Sequence, residues 1–230
     1  IQRVRVSGAS VAGVNTGFSL SAVVDTRGDA NDDDGGGTGR LQQGSLHQFI
    51  LNANATDNAN AMMFVPAVAA NVDGGAPGGG NDYWRVSVTS ALSPITDAYT
   101  TVDGTAYAFT YGTAGIAVRD DNAGLLGAGG TVGMGGAASL SQVARPELEI
   151  VDGAAANVID YGLQVQATDV TIRDLAIYGF GDSNPLIDSG SIGVVGDAYD
   201  RVTITGNLIG FSAGAATFTA VDADPGAARG

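Results

Sequence analysis

A pattern written twice at a fixed spacing constrains the fold of this chain more than any other feature. Val170-Thr171-Ile172 with Ile177 recurs as Val202-Thr203-Ile204 with Ile209, and every position is shifted by 32 residues. A fixed period of this length is typical of repeat architectures, in which each unit packs on its neighbours. Each copy alternates apolar and polar residues between glycine and aspartate, which indicates short strands and tight turns. Strands stacked at such a period predict an all-β solenoid, a parallel β-helix.

Composition agrees with a folded chain made of many turns. The 230 residues are 44% hydrophobic, enough to bury a large core, and include 36 glycines without a collagen-like period. The chain begins Ile1-Gln2-Arg3, with neither an initiator Met nor an apolar signal core, so we expect a mature product or an excised segment. No run of about 18 apolar residues predicts a membrane span.

The charge balance limits the partners that this chain can have. The formal net charge is −14, from 24 acidic and 10 basic residues, and the sequence contains no lysine. Such a surface repels nucleic acid and anionic lipid, so we expect neither as a partner, nor insertion into a membrane. The absence of lysine excludes lysine isopeptide crosslinks, and the absence of cysteine excludes disulfides and thiolate metal sites.

The chain divides into three segments of different character. Residues 1–28 contain alternating stretches outside the repeat, which predict a strand arm or hairpin, or one strand that pairs elsewhere. Residues 29–211 form the predicted β-helix, with a long glycine- and alanine-rich excursion at 112–139. Residues 212–230 are rich in Gly, Ala and Pro and are predicted to be a linker-like tail.

One short helix is predicted at 45–55. Ser45 is a suitable N-cap, and Leu46, Phe49, Ile50 and Ala53 fall on one face at helical spacing. A helix this short needs an apolar surface to lie on, and the N-terminal end of the β-helix core provides one. We therefore predict a capping helix.

The loop at 29–39 is the one candidate metal site. Its oxygen-bearing side chains are those of a calcium loop: Asp29, Asn31, Asp32, Asp33 and Asp34. The spacing departs from the EF-hand pattern, because no glycine stands at the sixth position and no glutamate follows. A solvated turn is the favoured interpretation, calcium is the alternative, and no other cofactor is predicted.

The helix segment and the turns around it resemble a known class of protein. Gly44-Ser-Leu-His-Gln-Phe-Ile-Leu-Asn-Ala-Asn54, Phe64-Val-Pro66, Val102-Asp103-Gly104 and the Val-Thr-Ile-Arg-Asp-Leu-Ala-Ile stretch resemble the right-handed parallel β-helix regions of bacterial secreted and cell-surface proteins, within the pectate-lyase-like superfamily. Similar regions often carry Arg where this chain has His47, which we expect at the surface. The resemblance covers about residues 29–211 and implies a right-handed β-helix and an extracellular or cell-surface location.

The sequence offers few residues in the arrangement that catalysis on this fold requires. A lyase of this fold would need clustered carboxylates for calcium and a basic residue to take a proton from the sugar. Arg173 lies near Asp169, Asp174, Asp197 and Asp200, but acidic turns are common in any stacked β-structure. His47 is the only histidine, and Asn207 is interpreted as a turn residue bonding the neighbouring strand. We expect no enzyme.

The aromatic residues concentrate between 83 and 111. Burial under the excursion is the favoured interpretation of this cluster, and stacking on sugar rings is the alternative. The cluster consists of Tyr83, Trp84, Tyr99, Tyr107, Phe109 and Tyr111.

Three functional hypotheses remain. The leading one is an extracellular structural subunit that self-assembles into a filament, sheath or surface layer, through the arm or the unfinished C-terminal end of the β-helix. The first alternative is an adhesin or glycan-binding module of a larger surface protein, with Trp84 or Tyr83 in contact with sugar. The second is a polysaccharide lyase or hydrolase.

Overall fold

The computed structural model describes residues 21–26, 44–73, 80–109, 116–127, 129–136, 138–154, 159–181 and 188–215. This part of the chain consists mostly of strands with one helix, so the all-β class is confirmed at that level. The helix is α1 (Leu46–Asn54), and the strands are β1 (Ala22–Val23), β2 (Asn60–Ala61), β3 (Met63–Phe64), β4 (Trp84–Val88), β5 (Thr100–Asp103), β6 (Tyr107–Phe109), β7 (Ile116–Val118), β8 (Leu125–Leu126), β9 (Thr131–Val132), β10 (Ala138–Ser139), β11 (Val143–Ala144), β12 (Leu148–Asp152), β13 (Tyr161–Val165), β14 (Thr171–Arg173), β15 (Leu175–Tyr178), β16 (Gly190–Val194), β17 (Thr203–Thr205) and β18 (Leu208–Ile209).

Helix α1 begins where the sequence predicts. The Ser45 hydroxyl accepts a hydrogen bond from the Gln48 backbone N–H at 3.1 Å, which caps the first turn. The four predicted apolar residues, Leu46, Phe49, Ile50 and Ala53, are each at most 2% exposed. The expectation for His47 is wrong: its side chain is buried, and its Nε2 accepts a hydrogen bond from the Ser93 backbone N–H at 3.1 Å.

Three parallel sheets make up most of the architecture. Sheet I has the strand order β4-β12-β15-β18, sheet II pairs β13 with β16, and sheet III has the order β2-β5-β14-β17. A parallel bridge from Ile95 to Val165 extends sheet II by one residue. The sheets are short, and the right-handed β-helix itself stays a prediction.

The chain passes through these sheets in the same order each time. It runs through β4, Ile95 and β5, then β12, β13 and β14, then β15, β16 and β17, and returns to sheet I at β18. We call each such set of three a tier. The three sheets contribute to one apolar core, which includes Val86 and Ile150 of sheet I, Val165 of sheet II and Ile172 of sheet III.

The 32-residue repeat is realised as strand pairing. Thr171 pairs with Thr203, Ile172 with Ile204, and Ile177 with Ile209 in the parallel ladders. Equivalent residues of the repeat are thus direct neighbours in adjacent tiers.

A second periodic feature precedes the strands of sheet III and is not evident from residue type. Tyr99, Asp169 and Arg201 have positive φ angles of 63°, 58° and 55°. Residues other than glycine rarely adopt this left-handed conformation, yet here three different side chains share it before β5, β14 and β17. The Asp169 N–H donates to the Asp200 carbonyl at 3.1 Å, and the Arg201 guanidinium binds the Asp169 carboxylate through Nε and Nη2 at 2.6 and 2.7 Å.

The excursion between β5 and β12 has its own pairing. Its described residues form antiparallel two-stranded ladders, β6 with β7, β8 with β11 and β9 with β10. Leu126 is fully buried and joins a second apolar cluster with Tyr83, Ala176, Leu208 and Ala213. This cluster lies outside the central core, so the excursion and residues 211–215 cover part of the outer face of sheet I.

Both predicted end segments are partly integrated into the fold. Ala22 and Val23 of the predicted arm pair in parallel with Met63 and Phe64, and Val23 is fully buried in the central core. In the predicted linker-like tail, Ala213 is fully buried, and Ser212, Gly214 and Ala215 are half-buried. Residues 1–20 and 216–230 lie outside the described residues.

Candidate functional site

The last strands of the three sheets form the candidate site. Strands β16, β17 and β18 each pair on one side only within the described residues, with β13, β14 and β15 respectively. We call these three strands the open edge. On their other sides, no strand of the described residues pairs with their main-chain donors and acceptors, and this is the geometry that receives an added strand.

Three aliphatic residues, one from each strand of the open edge, are exposed, whereas Leu208 of the same edge is buried. Val194, Ile204 and Ile209 are 43%, 42% and 44% exposed. Their register partners in the preceding tier, Val165, Ile172 and Ile177, are fully buried in the central core. The exposed aliphatic positions therefore continue the core and are not incidental surface residues.

The turn that joins β17 to β18 is held firmly against the preceding tier. The Asn207 side chain donates through Nδ2 to the Ile172 carbonyl at 2.8 Å and accepts at Oδ1 from the Leu175 N–H at 3.2 Å. The interpretation of Asn207 as a turn residue is confirmed. The open edge is therefore hydrogen-bonded to the preceding tier on one side, and its other side faces away from that tier.

The predicted calcium loop cannot be placed. Asp29, Asn31, Asp32, Asp33 and Asp34 lie outside the described residues, so calcium there stays a prediction. In the described ranges, no group of three or more His, Cys, Asp or Glu side chains has an arrangement that could hold a metal ion.

Arg173, the basic residue considered for a lyase, forms an ion pair within the fold. Arg173 donates to the Asp103 carboxylate through Nη2 at 2.6 Å and through Nε at 3.1 Å. This ion pair raises the pKa of the Arg173 guanidinium, because both the hydrogen bond and the charge of Asp103 favour the protonated form. The structure thus brings Arg173 together with Asp103, a partner that the sequence did not suggest, and Asp169 is paired with Arg201 instead.

The described residues of the aromatic cluster divide between buried, half-buried and exposed positions. Trp84 is fully buried, with its indole N–H donating to the Val68 carbonyl at 3.0 Å and the Arg119 guanidinium 4.6 Å from the ring centroid. Tyr83 is 3% exposed, whereas Tyr99 is 58% exposed. Phe109 and Tyr111 lie where no side chain is described. Neither Trp84 nor Tyr83 presents a face to a sugar, so the residues proposed for glycan contact are wrong.

Sequence reasoning missed a buried polar network on the outer face of sheet I. The fully buried Glu149 carboxylate binds the Arg85 guanidinium through Oε1, which also accepts from the Tyr178 hydroxyl at 3.2 Å. Its Oε2 accepts from the Ser212 hydroxyl at 2.7 Å and from the Ala213 N–H at 2.8 Å. Burial is the main cause that raises the pKa of Tyr178 to about 12, and the charge of Glu149 adds to it. Alternation along β12 places Glu149 on the outer face, but only the fold of residues 211–215 reveals that this face is covered.

A second buried carboxylate stands at the start of β12. Glu147 is 7% exposed and accepts a hydrogen bond from the Asn122 N–H at 2.9 Å. Burial raises the pKa of Glu147 to about 7, the nearby charges of Asp121 and Asp120 add to the rise, and the hydrogen bond from Asn122 opposes it. The Asn122 amide also donates to the Pro146 and Ala213 carbonyls at 2.8 and 3.0 Å, so it joins the excursion to the C-terminal segment.

No helix among the described residues has the length and apolar character that crossing a membrane requires.

Comparisons with known proteins give no family for this chain. A scan against protein-family models and searches of curated proteins and of solved structures found no match.

Proposed function

We propose that this chain is a structural subunit of an extracellular filament, sheath or surface layer, and that it self-associates through the open edge. The observation that carries the proposal is the contrast between adjacent tiers, in which Ile204 is 42% exposed while Ile172 beneath it is fully buried. Covering such a row of aliphatic side chains gains roughly 25 cal/mol for each Å² of apolar surface removed from water.

The same proposal includes the finer fold. A right-handed parallel β-helix is supported by the repeated passage through sheets I, II and III in one order, and by the left-handed residues at Tyr99, Asp169 and Arg201. In this fold each end bears unpaired strands unless another element covers it. The extracellular location rests on the resemblance of the sequence to β-helix regions of secreted and surface proteins.

Substitution at the open edge tests the proposal. We expect the chain to form assemblies whose size increases with concentration in analytical ultracentrifugation and negative-stain microscopy. Ile204→Asn places an amide in the uncovered apolar row and should weaken association at least tenfold. Leu140→Asn is the matched control, because Leu140 is also 42% exposed but lies between β10 and β11, outside the three edge strands.

The controls separate assembly from folding. Far-UV circular dichroism and thermal unfolding should be alike for the two variants, because Ile204 and Leu140 are equally exposed. A wild-type chain that stays monomeric at high micromolar concentration, or a Leu140→Asn variant that dissociates as much as Ile204→Asn, contradicts the open edge as the interface.

The N-terminal arm is tested separately. Removal of residues 1–20 keeps Val23, whose burial in the core would otherwise confuse an assembly defect with unfolding. Loss of assembly after this deletion, in a folded chain, assigns a contact to the arm as well.

A further inference from the structure

The two ends of the tier stack are not equivalent. At the first tier, α1 buries Leu46, Phe49 and Ile50 in the central core. The helix is fixed to the segment around Ile95: Asn54 donates to the Pro94 carbonyl and accepts from the Thr96 N–H, both at 2.8 Å. Ile95 is the first-tier position of sheet II, so α1 lies at the end opposite to the open edge.

This asymmetry decides how two copies can meet. In head-to-tail stacking, the open edge of one copy would meet the first-tier end of the next, where α1 is packed on the segment around Ile95 and β2 already pairs with β5. The open edge of a second copy offers the same one-sided strands and the same exposed aliphatic side chains, Val194, Ile204 and Ile209. We propose that two copies join open edge to open edge about a two-fold axis; this inference rests on the proposed function and specifies its contact.

The charges of the open edge fit pairing with itself. The edge strands Gly190–Val194, Thr203–Thr205 and Leu208–Ile209 contain no charged residue, although the chain as a whole carries a formal charge of −14. Apposed identical edges therefore bring no like charges into direct strand contact. Natural edge strands are commonly protected from pairing by charged residues or proline, and these strands have neither.

The Arg201 guanidinium beside the edge is already neutralised. It contacts the carboxylate of Asp169 in the preceding tier and that of Asp200 at 2.8 Å. A partner that depended on a free cation at this edge would be poorly matched, whereas a second apolar edge is well matched.

Two-fold symmetry makes a specific geometric prediction. Rotation about an axis perpendicular to the stack reverses the strand direction, so strands are antiparallel across the contact. It also reverses the order of the three sheets around their common core. One edge strand must then face its own copy, while the other two exchange partners. Such an isologous contact closes as a dimer, and a filament needs a second contact elsewhere in the chain.

The absence of cysteine allows a direct test. Single cysteines are introduced as Val194→Cys, Ile204→Cys and Ile209→Cys, with Leu140→Cys as the equally exposed control. Under mild oxidation we expect one of the three edge variants to form a disulfide-linked dimer at least tenfold faster than Leu140→Cys. The two other edge variants should crosslink when mixed with each other, and each alone should be slow.

The outcomes distinguish this inference from the proposed function. Association of the wild type with rapid self-crosslinking at one edge position supports both. Association that Ile204→Asn weakens, with no edge cysteine crosslinking to itself faster than the control, overturns the two-fold contact and leaves self-assembly in place. Monomers for the wild type and all variants overturn both. Circular dichroism of each cysteine variant confirms that it is folded before its crosslinking is compared.

Discussion

At the scale of single residues, two buried glutamates of β12 and its approach have different roles. Glu149 is balanced by Arg85 and by donors from Ser212 and Ala213, so its charge is compensated inside the fold. Glu147 accepts a hydrogen bond from the Asn122 N–H but has acidic neighbours. Burial of a carboxylate that no cation compensates favours its protonated form, so the pKa of Glu147 is raised.

Glu147 should make the stability of the chain depend on pH near neutrality. Its pKa is about 7 in the folded chain, against an ordinary value of 4.5, so the folded state binds the proton more tightly. The contribution is therefore fully present below about pH 4.5 and is lost as the pH rises through 7. Glu147→Gln keeps a neutral side chain at every pH and should be more stable than the wild type at pH 8, by on the order of 1–2 kcal/mol.

Urea unfolding of both chains between pH 5 and pH 8 measures this effect. Asp197→Asn is the control, because it makes the matching carboxylate-to-amide change at an exposed residue outside β12. If the free energy of unfolding depends on pH in the same way for the wild type and for Glu147→Gln, then ionisation of Glu147 does not destabilise the folded chain, and the prediction is wrong.

At the scale of elements, the same kind of turn, with the sequence Val-Asp-Gly, occurs twice. In Val102-Asp103-Gly104, the Asp103 carboxylate accepts from the Thr105 N–H at 2.9 Å; in Val151-Asp152-Gly153, Asp152 accepts from the Ala154 N–H at 2.7 Å. Both glycine N–H groups donate across to a neighbouring strand, at 3.0 and 2.7 Å. The Val-Asp-Gly sequence therefore ends two strands of different sheets with the same kind of turn, β5 of sheet III in the first tier and β12 of sheet I in the second.

The two turn glycines should tolerate alanine differently. A Cβ on Gly104 would lie 2.2 Å from the Asp174 carbonyl oxygen, a backbone atom that cannot move away without displacing a strand. At Gly153 the nearest atom is the Ser87 Cβ at 3.0 Å. We expect Gly104→Ala to destabilise the chain by about 3 kcal/mol or more, and Gly153→Ala by about 1 kcal/mol.

The free energy of unfolding in urea checks this pair, since the two variants make the same chemical change in the same kind of turn. Equal losses of stability would mean that the close approach of Gly104 to Asp174 does not control the packing of sheet III.

At the scale of the whole molecule, the proposed association would bring strongly acidic chains together through an uncharged edge. The net charge of −14 opposes the approach of two copies, and added salt screens this repulsion over a Debye length of about 10 Å at 0.1 M. We therefore expect association to strengthen several-fold when sodium chloride is raised from about 0.02 M to 0.5 M.

Sedimentation equilibrium at the two salt concentrations measures the change, and Ile204→Asn should remain dissociated in both. Association that weakens with added salt would indicate an interface of ion pairs, which the residues of the open edge do not provide.

The fold was predictable wherever the responsible interaction is local or periodic. The Ser45 cap, the apolar face of α1 and the paired copies of the 32-residue repeat follow from spacing alone, because helical and strand periodicity place those residues on one face. His47 was misplaced, because its burial depends on contact with Ser93, which is 46 residues away.

The candidate site, like the fold, was predictable from the sequence only in part. Alternation and repetition by themselves determined which residues of the last strands face the core, so Ile204 and Ile209 were identifiable as continuations of Ile172 and Ile177. Only the tertiary structure decided that these positions stay uncovered, that Glu149 is enclosed by residues 212–213, and that Trp84 is interior. Side-chain periodicity is a property of the local backbone, whereas coverage depends on where distant segments come to lie.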